Sequence, residues 1–156
     1  MSNIKIRGFD QHVRVPLTVL LEGEDGEDGA ELKFSMSYLR MTRKDQAAMF
    51  KNADNRQKAA LKIQKQIVAE LEAVNEDGEP DVDQGKIAAL EERIEDLGKK
   101  GEEASLARCK GWDLEDDDGN PVPFNKENLC TVADNPDVYI EIVNGMWVAT
   151  GGRLKN

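Results

Sequence analysis

The feature that most constrains this chain is a pair of helical stripes divided by a breaker. Ala60, Ile63, Ile67, Leu71 and Val74 recur at spacings of three and four, which places them along one helix face. A second stripe runs Ile87, Leu90, Ile94 and Leu97. Between them, Asn75-Glu76-Asp77-Gly78-Glu79-Pro80-Asp81 combines glycine, proline and helix-start acids, so the chain is expected to reverse there. The predicted unit is an antiparallel helical hairpin over residues 54–97 that protrudes from the rest of the fold. Charge agrees with the pairing. Residues 33–69 hold nine basic residues against two acidic, and residues 70–96 hold eleven acidic against two basic, so opposite signs would lie side by side. Each exposed pair contributes only about 0–1 kcal/mol. About two heptads are visible per helix, too few for a long autonomous coiled coil.

Ahead of the hairpin the pattern is that of strands. Ile4-Lys5-Ile6 and Val13 to Leu20 are rich in β-branched residues and partly alternate, and Pro16 fits an edge strand. Gly23 to Gly29 is a glycine-rich acidic turn, after which Leu32, Phe34, Met36 and Tyr38 alternate cleanly. An antiparallel hairpin over residues 1–41 follows, with an apolar face that needs covering. Thr42 is placed to cap a short helix through Phe50, with Asp45 in the reach-back position, and Asp54 or Asn55 to cap the next. Gly98 and Gly101 are expected to end or loosen the second hairpin helix before it resumes toward Leu106 and Cys109, closing a helical region at residues 42–110. In a compact C-terminal part, residues 111–150, Asn125 can cap a short helix through Leu129, and Asn135-Pro136 opens a segment from Val138 to Val148. Its Tyr139, Ile140, Val143, Met146, Trp147 and Val148 suit a helix face or a strand, and Gly145 leaves the choice open. Residues 151–156 form a tail. The expectation is therefore one α+β domain spanning 1–156.

Composition excludes several functions. A net charge of -10 provides no basic field to displace counterions from a phosphate backbone, so nucleic acid is not an expected partner. The apolar content of 39% with 33% charged residues describes a thin core under a large wetted surface. No apolar run follows the first residues as a signal peptide requires, and no segment approaches a membrane span, so the expected location is the cytoplasm. Cys109 and Cys130 are then expected as free thiols, Cys109 buried in a helix-like run.

Catalytic and cofactor chemistry finds no machinery. Taking Gly119 as the sixth position of a calcium loop puts Leu114 first and Asn125 last, so the leading acid and the terminal bidentate glutamate are missing. His12 is the single histidine and lies in a strand-like run, away from any paired nucleophile. Three scattered Cys and His residues do not make a zinc site. Gly98-Lys99-Lys100-Gly101 lacks the spacing of a phosphate-cradling loop. The expected activity is binding, with no cofactor and no metal.

One stretch is distinctive. Gly111 to Leu129 reads as anchor, turn, anchor, helix: Trp112 supplies a large apolar surface, Asp118-Gly119 reverses the chain, Pro121 and Pro123 stiffen it, and Phe124 can pack back on the tryptophan. The order Gly111-Trp112, acidic turn Asp116 to Gly119, Pro123-Phe124 and Glu127-Asn128-Leu129 resembles the tail assembly chaperones of long-tailed double-stranded-DNA bacteriophages. Asn125 stands where that family more usually has serine or threonine. The N-terminal part, with Phe34 and Tyr38-Leu39-Arg40, is similar only loosely, and the hairpin looks like an enlarged middle region. The resemblance implies a non-enzymatic protein of the host bacterial cytoplasm that binds the tape-measure protein and recruits tail-tube subunits. It also implies a frameshift-extended second form, for which Leu154-Lys155-Asn156 would be a compatible slippery end. Trp112, Phe124, Leu129 and Trp147 are the candidate partner-binding or structural anchors, and the uncovered strand and helix faces permit a homo-oligomer. The competing roles are a structural tail or tail-completion subunit and an acidic phage inhibitor of a host protein.

Overall fold

The computed structural model describes residues 12–23 and 29–151; the strand expected at Ile4-Lys5-Ile6, most of the Gly23–Gly29 turn and the tail lie outside these. The fold is α+β, in the order β1 (His12–Leu20), β2 (Glu31–Leu39), α1 (Arg43–Leu71), α2 (Gln84–Leu106), β3 (Cys109–Trp112), α3 (Lys126–Ala133) and α4 (Pro136–Gly151). It divides into two compact units, residues 43–104 and the remainder.

In the larger unit the predicted hairpin forms, with Val15 opposite Met36, Leu17 opposite Phe34 and Val19 opposite Leu32. Strict alternation then puts Val15, Leu17 and Val19 of β1 and Phe34, Met36 and Tyr38 of β2 on one buried face. Pro16 sits in β1, an edge of the sheet, where a missing N–H is tolerated. The hairpin gains a third strand that sequence did not predict. β3 pairs antiparallel to β2, Met36 opposite Trp112 and Ser37 opposite Gly111, with an irregularity between Ser37 and Tyr38. Cys109 is thereby a buried strand residue and not part of a helix.

Helix α4 covers the sheet. The choice left open by Gly145 resolves to helix because Asn135 starts one: its side-chain oxygen accepts from the N–H groups of Asp137 (3.0 Å) and Val138 (3.2 Å) ahead of a proline suited to a first turn. Val138, Ile142, Gly145, Met146 and Ala149 recur at helical spacing and are buried, and each large side chain among them contributes roughly 1.5–3 kcal/mol. Gly145 is required by packing. A Cβ there would lie 2.4 Å from the Tyr38 hydroxyl and 2.7 Å from Leu17 Cδ2. The Tyr38 hydroxyl in turn donates to the Ile142 carbonyl at 2.7 Å, and burial pushes its ionisation far above the ordinary phenol value.

The smaller unit is the helical hairpin. Ile63, Ile87 and Leu90 are buried between its helices. Three expectations are corrected. The break between a short helix ending at Phe50 and one capped at Asp54 or Asn55 does not occur: α1 runs unbroken for 29 residues. No glycine or proline interrupts that stretch, and Asp54 is engaged by Lys58 at 2.8 Å, four residues on, as a helix-interior pair. Likewise α2 passes through Gly98 and Gly101 without ending. Finally, Leu71 and Val74 are 54% and 61% exposed, off the inner stripe. Glu70 takes the inward position instead, accepting from the Asp83 N–H (3.3 Å) and pairing with Lys86 (3.2 Å) at the start of α2. That pair lies wholly within the acidic block 70–96, so it is not one of the pairings expected between the two blocks.

Candidate interaction surfaces

The stretch from Gly111 to Leu129 folds as a locked corner of the larger unit. Trp112 leaves the sheet beside Met36, and its indole Nε1 donates to the Val122 carbonyl at 2.7 Å across the turn. Phe124 meets it edge-on, centroids 5.1 Å apart at 90°, and Phe34 meets it from the sheet at 6.4 Å and 88°. Such T-shaped pairs contribute about 0.5–1.5 kcal/mol beyond their buried area. Asn125 caps α3, its Oδ1 accepting from the Asn128 N–H at 2.8 Å. The Asn128 side-chain amide then donates to the Pro123 carbonyl at 2.8 Å, and Leu129 is buried. Each step of the sequence pattern therefore has a mechanical part: two rings clasp the base of the turn and one asparagine pair ties its exit to the helix.

The turn itself is built on Asp116. Its backbone N–H donates to the Asn120 carbonyl (2.9 Å), its carbonyl accepts from Gly119 (3.0 Å), and its Oδ1 accepts from the N–H groups of Asp118 and Asn120 (3.0 and 2.9 Å). Gly119 has φ of 80°, a left-handed value that favours glycine. The hairpin turn repeats this arrangement on Asn75. Its N–H donates to the Glu79 carbonyl (2.8 Å), its carbonyl accepts from Gly78 (3.0 Å), and its Oδ1 accepts from Asp77 and Glu79 (3.0 and 2.9 Å), with Gly78 at φ 79°. A proline follows at the same offset in both, forming an antiparallel bridge with the residue before the key Asn or Asp.

Of the four predicted anchors, the structure brings Trp112, Phe124 and Leu129 into this corner, and it places Trp147 on α4 at 36% exposure. Sequence reasoning missed Phe34 as the third ring; its place on the apolar alternation gave the face but not the neighbour. It also missed Asp113, whose carboxylate accepts from the Ser35 N–H at 2.5 Å and pairs with Arg14 across the sheet. The Ser35 amide first, and the Arg14 guanidinium with it, hold that carboxyl below its ordinary value despite slight desolvation. Cys109 is buried in β3, and that burial pushes its thiol up to about 12. Cys130 is exposed, and both thiols are free.

A cleft of about 240 Å³ between β1 and α4 is lined by Thr18, Leu20, Asp137 and Ile140 among others. Another of about 270 Å³ lies between the hairpin helices beside Ile63, Arg93 and Leu97. No described helix is long and apolar enough to cross a membrane. The fold defines a class: a small α+β protein whose distinctive parts are a helix-covered three-stranded sheet, a ring-locked corner and a helical hairpin. Comparison with protein-family models, curated proteins and solved structures finds no match.

Proposed function

We propose that the protein is a bacteriophage tail assembly chaperone that binds the tape-measure protein and recruits tail-tube subunits while the tail is built in the host cytoplasm. The observation that carries this reading is the corner at Gly111–Leu129. The ordered residues that resemble the chaperone family form one mechanical unit, with Trp112, Phe124, Asn125 and Asn128 each tied to another part of it. The resembling residues are thus parts of one local packing unit, which supports the reading.

The physical demand on such a chaperone also suits the molecule. A tape-measure protein is a long helix with apolar seams, and shielding it needs apolar surface presented in a strongly acidic, well-hydrated shell. Exposed Phe50, Leu61, Val68, Leu71 and Val74 supply that surface on the hairpin. The test is co-expression with the tape-measure protein of the same phage. The expected result is that it becomes soluble and co-purifies; a tape-measure protein that is soluble alone, or that fails to co-purify, counts against the proposal. Mass spectrometry of purified particles adds a second check, because stoichiometric retention in mature virions identifies a tail subunit instead.

A further inference from the structure

Helix α1 carries a second seam on the side facing away from Ile63. Leu61 lies two residues from Ile63, roughly 200° around the helix, and is 50% exposed. Val68 follows seven residues later at 53% exposure, and Leu71 three beyond that at 54%. These are the large apolar side chains that α2 leaves uncovered on its partner helix.

One edge of this seam is charged with regular spacing. Lys44, Lys51, Lys58 and Lys65 recur every seven residues, a row about 30 Å long on one flank. The other flank, through Gln46, Ala53, Ala60 and Ile67, carries no charge. A seam with cations on one side only is the arrangement that selects a helix partner by charge at flanking positions.

The charge pattern also says what does not fit. Two copies of α1 packed antiparallel would set the lysine rows against each other. Packed parallel, each row would face the neutral flank. The outer surface of α2 has acids, among them Glu91, Glu95 and Glu102, but among the described residues it presents no large exposed apolar side chain to fill the seam. An anionic membrane is disfavoured by the net charge of -10 and by Asp54, Gln57 and Gln64, which interrupt the apolar line. Those polar positions suit a helix partner, where they set register at some expense of affinity.

We propose that this outer seam of α1 docks an amphipathic α-helix of a different protein, one whose apolar stripe is flanked by glutamate or aspartate. The inference deepens the chaperone reading and rests on it for the identity of the natural partner.

The test uses the full-length protein and two fluorescent three-heptad peptides with leucine at the core positions, one carrying glutamate and the other lysine at both flanks. Fluorescence anisotropy is expected to show the glutamate peptide binding about tenfold more tightly, with the preference shrinking as salt rises. Charge reversal by K51E/K58E/K65E should invert the preference, and L61Q/V68Q should abolish binding of both peptides while the circular dichroism stays unchanged. Equal binding of the two peptides, a preference that survives the reversal, or unaltered binding by L61Q/V68Q overturns the proposal. So does binding of phosphatidylserine vesicles through Leu61 and Val68 without any peptide preference. The two readings fail separately: loss of peptide binding with the tape-measure protein still solubilised removes the seam alone, and intact peptide binding without solubilisation removes the chaperone role alone.

Discussion

Replacing Gly145 by alanine sets two helix-level effects against each other, and the structure decides the sign. In a solvent-facing helix the change stabilises by about 0.5–1 kcal/mol, because alanine loses less backbone freedom on folding. At Gly145 the new methyl would stand 2.4 Å from the Tyr38 hydroxyl and 2.7 Å from Leu17 Cδ2, where ordinary contact begins near 3.4 Å. Leu17 can rotate its tip, but Tyr38 is rigid, fully buried and bonded to the Ile142 carbonyl. Relief requires a shift of roughly 1 Å in α4 or the ring, at an overpacking cost of about 1–3 kcal/mol. Displacing the hydroxyl also forfeits a bond contributing about 0.5–1.5 kcal/mol. The net expectation is destabilisation by about 1–3 kcal/mol. Urea unfolding followed by tryptophan fluorescence reads the relevant unit, since Trp112 and Trp147 both belong to it. Gly98→Ala is the control. Nothing lies within 4 Å of its added carbon, so that variant should be more stable by about 0.5–1 kcal/mol in helical circular dichroism. Tyr38→Phe combined with Gly145→Ala should be less damaging than the sum of the two changes, because the colliding oxygen is gone. A Gly145→Ala protein as stable as the wild type would refute the packing argument.

Three further outcomes are expected. Iodoacetamide at pH 8 should label Cys130 in the native protein and spare Cys109, whose buried thiol is pushed up to about 12, with both labelled in urea; mass spectrometry of tryptic peptides checks this. Asp113 has a folded pKa below its ordinary 3.8, so its contribution to stability is present above that value and lost as pH falls through the lower, folded one. The gap in urea midpoint between wild type and Asp113→Asn should therefore hold at neutral pH and close only in acid below about 3.8; a gap closing near pH 6 contradicts the assignment. Asn75→Ala and Asp116→Ala each remove two side-chain bonds to backbone N–H groups and should destabilise their own units by similar amounts, about 1–2 kcal/mol, measured by helical circular dichroism and tryptophan fluorescence respectively.

The elements most legible in the sequence are those whose period is set by one buried face. Val15, Leu17 and Val19 against Phe34, Met36 and Tyr38 alternate because the sheet has a core side, and that alternation is visible before any fold is known. Asn125 announces its helix because a cap acts within three residues, whereas Asn135 marks where the next segment opens without deciding between helix and strand. Strand β3 was illegible for the opposite reason. Cys-Lys-Gly-Trp carries no usable period in four residues, and it is a strand because β2 offers an edge to it. The supposed break near Asp54 failed because aspartate is both a cap and a good partner for a lysine four residues on, and only the uninterrupted stripe around it decides between them. Spacing alone puts Leu71 and Val74 on the inner stripe, but which of several near-equivalent residues turns inward depends on Glu70 reaching the start of α2, a contact thirteen residues away along the chain. The corner divides the same way: the packing of Phe124 on Trp112 is legible because the two rings lie twelve residues apart around one turn, whereas Phe34 and the outer seam of α1 depend on tertiary packing.

The twin turns bear on how the Gly111–Leu129 pattern should be used. The acidic turn is the most conspicuous part of that stretch in sequence, yet the same hydrogen-bond set, positive-φ glycine and following proline close the helical hairpin at Asn75. One join is between two long helices and the other between a strand and a short helix, so the turn is indifferent to what it connects. Its acids fit this general role, since the key side chain works equally as Asn75 or Asp116 and the others are exposed. The discriminating content must then lie in what the second turn has and the first lacks: the Trp112 indole bonded to the Val122 carbonyl, the Phe124 ring against it, and Asn128 tied to Pro123. A search for relatives weighted on those positions, with the acidic residues left free, follows the part of the corner that is particular to this fold.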